Sequence, residues 1–307
     1  MTEFKRPTLA DQQWVDELLA CGHERGCEYN FSTLYLWCHA FHVEIARLGD
    51  FFTERLCAPN GCHYLFPVGR GDVRAALEAV EEDSRLRGVP FSLTGVTLED
   101  QEVLERLYPG RFRYSPNRFS FDYLYHVDKL ADLGGKKLHA KRNHINRFVE
   151  NYPDWSFEPL GPDNLKECVA MNEEWHRQNN TGEDGEMLDD SLGEETIAIQ
   201  KGIEHFQTLG LEGGLIRAED RVVAFTMGDR LHANSDTYNV HFEKAFGDIQ
   251  GAYAIINREF ARWVRENHPE VRYLNREEDM GLEGLRKAKE SYYPDILLEK
   301  YLATEEG

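Results

Sequence analysis

Apolar positions in the first 130 residues switch between a helical period and a strand period. Trp14, Val15, Leu18 and Leu19 recur at helical spacing after an acidic start at Asp11. GDVRAALEAVEEDSRLRG places Val73, Leu77 and Val80 on one face and its charges on the other, and EDQEVLERLYP reads as a further short helix. Between these, FSTLYLWCHAFHVEIARLGDFFTERLC reads as a short helix turning into paired strands. HYLFPVG reads as a buried strand stopped by Pro67 and Gly69, and PFSLTGV as another strand. Helices alternating with strands predict an α/β domain.

The second half repeats the plan. WSFEPL predicts a strand, and DNLKECVAMNEEWHRQN and GEETIAIQKGIEHFQTLG predict helices. The run from EGGLIRAED to NVHFEKA predicts three consecutive strands, with tight turns at Glu219-Asp220 and near His232-Ala233-Asn234. A long helix follows with Tyr253, Ile256, Phe260 and Trp263 on one stripe. Then come a strand (VRYLNREED), a helix (GLEGLRKAKESYY) and one final strand (DILLEKYLA) after Pro294. TGEDGEMLDDSLG, residues 181–193, follows neither period and reads as a loop, either a lid or a solvated connection.

Composition narrows the picture. Hydrophobic residues are 41% of the 307, enough for a buried core and too many for disorder, and the length suggests two domains. The formal charge of −20 excludes a general nucleic-acid coating protein, which needs surplus Lys and Arg to neutralise phosphate. The charge is uneven: residues 1–150 carry −3 and residues 151–307 carry −17. No run of about 18 apolar residues suggests a membrane span, and the N-terminal residues lack a secretory leader pattern, so a cytoplasmic location is expected. Six cysteines (Cys21, Cys27, Cys38, Cys57, Cys62, Cys168) are accordingly read as reduced thiols. Cys57, Cys62 and His63 do not have zinc-site spacing, so no metal is expected.

Two segments concentrate polar chemistry. Residues 136–147 hold five permanent cations and two histidines. On a helix, Lys137, Lys141 and His144 share one side, with Arg142 and Asn143 beside them, a face suited to an anionic ligand. The alternative is a solvated linker whose charges pair with the acidic second half. NREEDMG follows a core strand, where α/β sheets tend to bind ligands. In an extended segment Asn275, Glu277 and Asp279 share one face and Arg276 and Glu278 the other. Glu277 is then the first candidate for a general base, with Asp279 as orienter or second base. Alternatively Asp279 caps the next helix and the Arg/Glu pairs are structural. Asn239 and His241 lie on one face of the third meander strand, where His241 orients substrate, shuttles a proton, or is simply structural. Trp175 and His176 wall an acceptor site or belong to the core. No G-x-S-x-G elbow suggests a covalent intermediate.

Residues 134–155 (GGKKLHAKRNHINRFVENYPDW), 240–261 (VHFEKAFGDIQGAYAIINREFA) and 273–294 (YLNREEDMGLEGLRKAKESYYP), with EYNFSTLYLW near the N-terminus, resemble a bacterial family allied to the C-terminal catalytic domain of phosphatidylglycerol lysyltransferase. The resemblance runs over nearly the whole chain. The strand and helix order of the second half is also that of a GNAT-type acyltransferase. Together these imply α/β (α+β) tandem GNAT-like domains, like the Fem-type peptidyl transferases: an N-terminal domain over 1–130, a basic linker helix over 131–150, and a C-terminal domain over 151–307 carrying the site. The implied reaction is transfer of an acyl or aminoacyl group to an amine or hydroxyl of a small-molecule, lipid or peptide acceptor. The co-substrate is aminoacyl-tRNA or acyl-CoA. In that picture Arg286 and Lys289 hold an anionic donor, with Tyr292 closing their helix, and the acceptor end of a charged tRNA docks on the basic helix. Gly247, Gln250, Gly251 and Ala252 stand at a helix start that could admit a pyrophosphate, though their spacing departs from the Gln/Arg-x-x-Gly-x-Gly/Ala loop. The rival reading is a non-catalytic ligand-binding protein that retains the fold.

Overall fold

The computed structural model describes residues 3–58, 61–180 and 190–305. The chain forms two compact units. The first comprises Met1–Leu124, Leu231–Ser235 and Glu277–Gly307, and the second Tyr125–Arg230 and Asp236–Arg276.

The first unit begins with α1 (Gln12–Leu19), α2 (Phe31–Trp37), β1 (Val43–Leu48), β2 (Phe51–Ala58), β3 (Gly61–Leu65), β4 (Val68–Gly69), α3 (Val73–Arg87), β5 (Ser92–Val96), α4 (Leu98–Leu107), β6 (Phe112–Pro116) and β7 (Asp122–His126), which passes into the second unit at Tyr125. The second unit follows with α5 (Val127–Asp132), α6 (His139–Asn151), β8 (Ser156–Pro159), α7 (Leu165–Asn180), α8 (Asp190–Glu204), α9 (Phe206–Leu209), β9 (Glu212–Ala218), β10 (Arg221–Arg230), β11 (Thr237–Ala245), α10 (Ala252–Asn267) and β12 (Tyr273–Asn275). The chain then returns to the first unit for α11 (Glu283–Glu290), β13 (Ile296–Leu298) and β14 (Tyr301–Glu305).

In the first unit the sheet order is β1-β2-β3-β5-β14-β6, with β4 beside β2. It is antiparallel except for β3 with β5. Helix α3 starts where the Asp72 carboxylate accepts the Arg74 N–H (3.0 Å) and stops at left-handed Gly88 (φ +68°). Its Leu77 and Val80 join Tyr64, Leu93, Val96, Leu104 and Phe112 in one core, each large apolar side chain contributing roughly 1.5–3 kcal/mol by leaving water.

A second sheet runs β13-β7-β12-β11-β10-β9-β8, with β11 and β12 parallel and the β13–β7 and β8 to β11 pairs antiparallel. The turn between β9 and β10 is the expected Glu219-Asp220, both left-handed (φ +50° and +59°), a geometry that suits the strand twist. Helix α10 packs on the meander, with Phe260 edge-on to Tyr238 at 5.8 Å. Tyr253, placed on the buried stripe by periodicity, is 40% exposed, and Ile255 takes its place inside.

Four expectations are corrected. The domain limits at 130 and 150 give way because β14 inserts between β5 and β6, so the residues from Glu277 onward belong with the N-terminal portion. DILLEKYLA forms two strands, β13 beside β7 and β14 in the first sheet. VRYLNREED is a strand only over β12. Cys57 and Cys62 are not free thiols: they face each other across β2 and β3 with Cα atoms 4.1 Å apart and form a disulfide. The expected loop at 181–193 lies outside the described residues as far as 189, and α8 covers its end. Among the described residues no helix is long and apolar enough to cross a membrane.

Candidate functional site

The NREEDMG segment leaves the strand at Asn275, and left-handed backbone at Glu277 (φ +56°) and Met280 (φ +51°) ends the strict alternation of faces expected there. Asp279, fully buried, receives Arg118 Nη1 (2.8 Å), Arg286 Nε and Nη2 (2.9 and 3.0 Å), Tyr123 Oη (2.6 Å) and the Gly281 N–H (2.9 Å). Burial alone would raise its carboxyl; Arg286, Tyr123, Gly281 and Arg118 outweigh that and hold it well below the ordinary carboxylate range. A carboxylate so fully engaged is a poor proton acceptor, which corrects its place as second base. Nor does it cap the next helix, since the residue before α11 is Leu282. Lys289, buried, donates to the carbonyls of Glu277 (3.1 Å) and Glu278 (2.5 Å) and so holds this backbone, and Tyr292 is buried just beyond.

Around this segment lies a cluster of carboxyls that comes from distant parts of the chain. Lys300, 2% exposed, has Nζ 2.5 Å from Glu28 Oε2, 3.0 Å from Asp122 Oδ2 and 3.7 Å from Cys27 Sγ. Asp122 also accepts the Cys27 N–H at 2.8 Å. Cys27, Glu28 and Asp122 have the donor set of a metal site, with ligand atoms within 4.8 Å of one another, but the ammonium of Lys300 already supplies the cation at their centre. Burial, reinforced by Glu28 and opposed by Lys300, pushes the Glu54 carboxyl up to about 8. Burial pushes Glu278 to about 8 as well, against Lys300 and with Asp122, Glu28 and Glu277. Two carboxyls are thus poised near neutral pH, the range in which a general acid or base works best.

Sequence reasoning chose Glu277 over Glu278 and missed Glu28, Glu54, Asp122 and Lys300. A signal was available: FFTERL, FSFDYLY and LLEKYLA each carry a charge inside an aromatic or aliphatic strand, and charges are seldom buried without a partner.

The remaining candidates lie in the second unit. Strands β11 and β12 pair only over residues 237–239 and 273–275 and then part. Beyond the fork, Arg276 Nη2 donates to Glu243 (2.8 Å), which also accepts from Asn257 of α10 (3.0 Å). Lys141 is pushed down to about 8 by burial and by Arg276, against Glu243. Asn239, fully buried at the fork beside Asn275, has no hydrogen-bond partner for either amide atom among the described residues. His241 is the extra residue of a β-bulge opposite Met227 and Gly228, buried and 2.9 Å from Asp229, which fixes its ring. Trp175 donates to the Ala245 carbonyl and lies under Lys244, so it packs on β11.

On the basic segment, Lys137 precedes α6 and so is not part of the helical face expected with Lys141 and His144. Arg142 donates to the carbonyls of Leu133 and Gly135, and the exposed Asn143 lies 3.2 Å from His139. At the start of α10, Gly247 and Gln250 are exposed, Ala252 is buried and Gly251 is left-handed (φ +91°). A Cβ on Gly251 would come within 2.3 Å of the His144 carbonyl oxygen, so the small residue there serves the close approach of α6.

Comparison with known proteins places the chain. Residues 20–304 match the family described as phosphatidylglycerol lysyltransferase, C-terminal. A crystal structure of a conserved protein of unknown function from Bacteroides thetaiotaomicron is 39% identical, covers 100% of both chains and superposes with a TM-score of 0.90. The C-terminal domain of a putative lysylphosphatidylglycerol synthetase from Agrobacterium fabrum is 14% identical over 98% of this chain and 93% of that one, with a TM-score of 0.69. FemX is 9% identical over 99% and 95%, with a TM-score of 0.57. An uncharacterized protein of Mycoplasmoides gallisepticum, MYCGA3080, is 24% identical over 185 residues, and the match spans 60% of this chain but only 56% of that protein. The fold is the tandem GNAT-like one, and the chain belongs to the phosphatidylglycerol lysyltransferase C-terminal family.

Proposed function

We propose that this chain transfers an aminoacyl group from aminoacyl-tRNA to an amine or hydroxyl acceptor, with Glu278 rather than Glu277 as general base. The observation that carries the reading is the carboxyl cluster of the first unit: Lys300 pairs with Glu28 and Asp122, and Glu54 and Glu278, raised to about 8, ionise readily only when a further cation joins it. An aminoacyl ester brings that cation as its α-ammonium group, and an acetyl group brings none. Glu278 accepts the proton of the acceptor as its lone pair adds to the ester carbonyl. The carbon–oxygen bond to the terminal ribose then breaks, and the ribose oxygen leaves with the proton that Glu278 returns. Asp279, bridging Arg118, Arg286 and Tyr123, is a positioning residue that fixes the turn presenting Glu278.

The close approach of α6 to Gly251 sets the His144 carbonyl oxygen, an acceptor, against the start of α10, which disfavours a pyrophosphate there and supports RNA over coenzyme A. The exposed Lys137 and Arg147 offer RNA a cationic surface, with His144 as a further polar contact, on a chain of net charge −20. The family's name makes a lysyl group and phosphatidylglycerol the first donor residue and lipid acceptor to try.

The test uses labelled aminoacyl-tRNA with phosphatidylglycerol vesicles or peptide amines as acceptors. Labelled product is expected, with Glu278→Gln slower by about 10²–10⁴ and tRNA affinity unchanged. Transfer from acyl-CoA alone, or wild-type rates in Glu278→Gln, overturns the reading.

A further inference from the structure

We infer that the second unit holds a site for a phosphate group, built from α5, α6 and α10, which takes a backbone phosphate of the donor; the choice of an RNA phosphate rests on the donor proposed above. A recess of about 230 Å³ opens there, lined among others by Asp132, His139, Arg142, Asn143, Arg258 and Arg262. That is below the roughly 300–1,000 Å³ of pockets that engulf a drug-sized molecule. It suits one group of a larger ligand.

Each guanidinium is fixed by a contact that leaves other N–H groups over. Arg142 spends Nη1 on the carbonyls of Leu133 and Gly135, past the end of α5. Arg262 spends Nε on the Ala131 carbonyl (3.0 Å) and Nη1 on Glu259 (3.1 Å). Arg258 spends Nε and Nη2 on Glu259, each at 2.6 Å. Nε and Nη2 of Arg142, Nη1 of Arg258 and Nη2 of Arg262 have no close protein acceptor among the described residues. Planar forks anchored in this way lose little freedom when they grip a tetrahedral oxyanion, and an ammonium could not match the geometry.

The nearby carboxylates do not cancel the charge. Glu259 is shared by two arginines, and Asp132 is taken by Arg265 (3.0 Å), which also holds Asp128 (3.2 Å). Four arginines therefore face three carboxylates, with His139 at the edge. In an acidic chain this local surplus is where a phosphate gains most.

The experiment compares wild type with Arg258→Gln/Arg262→Gln and with a control that loses equal charge elsewhere, Arg85→Gln/Arg106→Gln. Uncharged tRNA is titrated at several salt concentrations, and inorganic phosphate is titrated against melting temperature. The pocket variant should bind tRNA at least tenfold more weakly, and its plot of log affinity against log salt should be shallower by about 1, for the one phosphate no longer neutralised. The control should keep wild-type affinity. A phosphate-induced rise in melting temperature that disappears in the pocket variant, with tRNA affinity intact, supports the site but assigns it to free phosphate. Wild-type tRNA affinity and salt slope in the pocket variant, with no phosphate effect on any form, overturn it. Loss of the transfer reaction with phosphate binding preserved overturns the proposed reaction and leaves this site standing.

Discussion

Replacing Glu54 by glutamine should change how stability depends on pH. Glu54 is 4% exposed on β2, and the charged groups that act on it are Glu28, Lys300 and Glu278. Its carboxyl sits at about 8 in the folded chain against 4.5 when free, so between those values the native state binds a proton that the unfolded chain has released. A raised acid stabilises most below pH 4.5 and loses that contribution as pH climbs toward 8, by about 1.4 kcal/mol per pH unit. Glutamine cannot ionise and removes this slope, whatever constant cost its amide adds. From pH 5 to pH 8 the variant should therefore gain about 4 kcal/mol relative to wild type. Urea unfolding at half-unit pH intervals, followed by circular dichroism, measures the difference directly. Parallel curves across that window would refute the claim that Glu54 is held protonated.

Two further outcomes follow from the same packing. Lys300→Met leaves Glu28 and Asp122 buried without their cation, which should cost about 3–5 kcal/mol at pH 8; the loss should shrink toward pH 5 as the carboxyls take up protons, and an equal loss at both values in urea melts would sink the argument. Gly251→Ala places a Cβ 2.3 Å from the His144 carbonyl at a left-handed position, so a loss of about 1–3 kcal/mol and faster amide exchange along α6 are expected; unchanged exchange in α6 would show that the helices do not depend on this contact.

The meander of β9, β10 and β11 could be read from the chain because alternation and a two-residue turn are local properties. The division of the chain could not. Nothing near Tyr301 announces that β14 belongs between β5 and β6, since that choice depends on partners some 200 residues away. The same limit governs the site. NREEDMG stood out by its polarity, but the choice between Glu277 and Glu278 turns on one left-handed residue, and the cation that balances the cluster lies beyond α11. The disulfide escaped because Cys57 and Cys62 are spaced like ordinary thiols until strand pairing sets them opposite each other.

The place of β14 has a consequence during synthesis. Until the ribosome has released the residues through Glu305, β5 and β6 lack the strand that lies between them, and each presents an open edge. The nascent chain can form the helices and strands of Tyr125–Arg230 and Asp236–Arg276 first, while β5 and β6 wait for β14. A premature stop near residue 300 would leave both edges permanently unpaired and create an aggregation hazard.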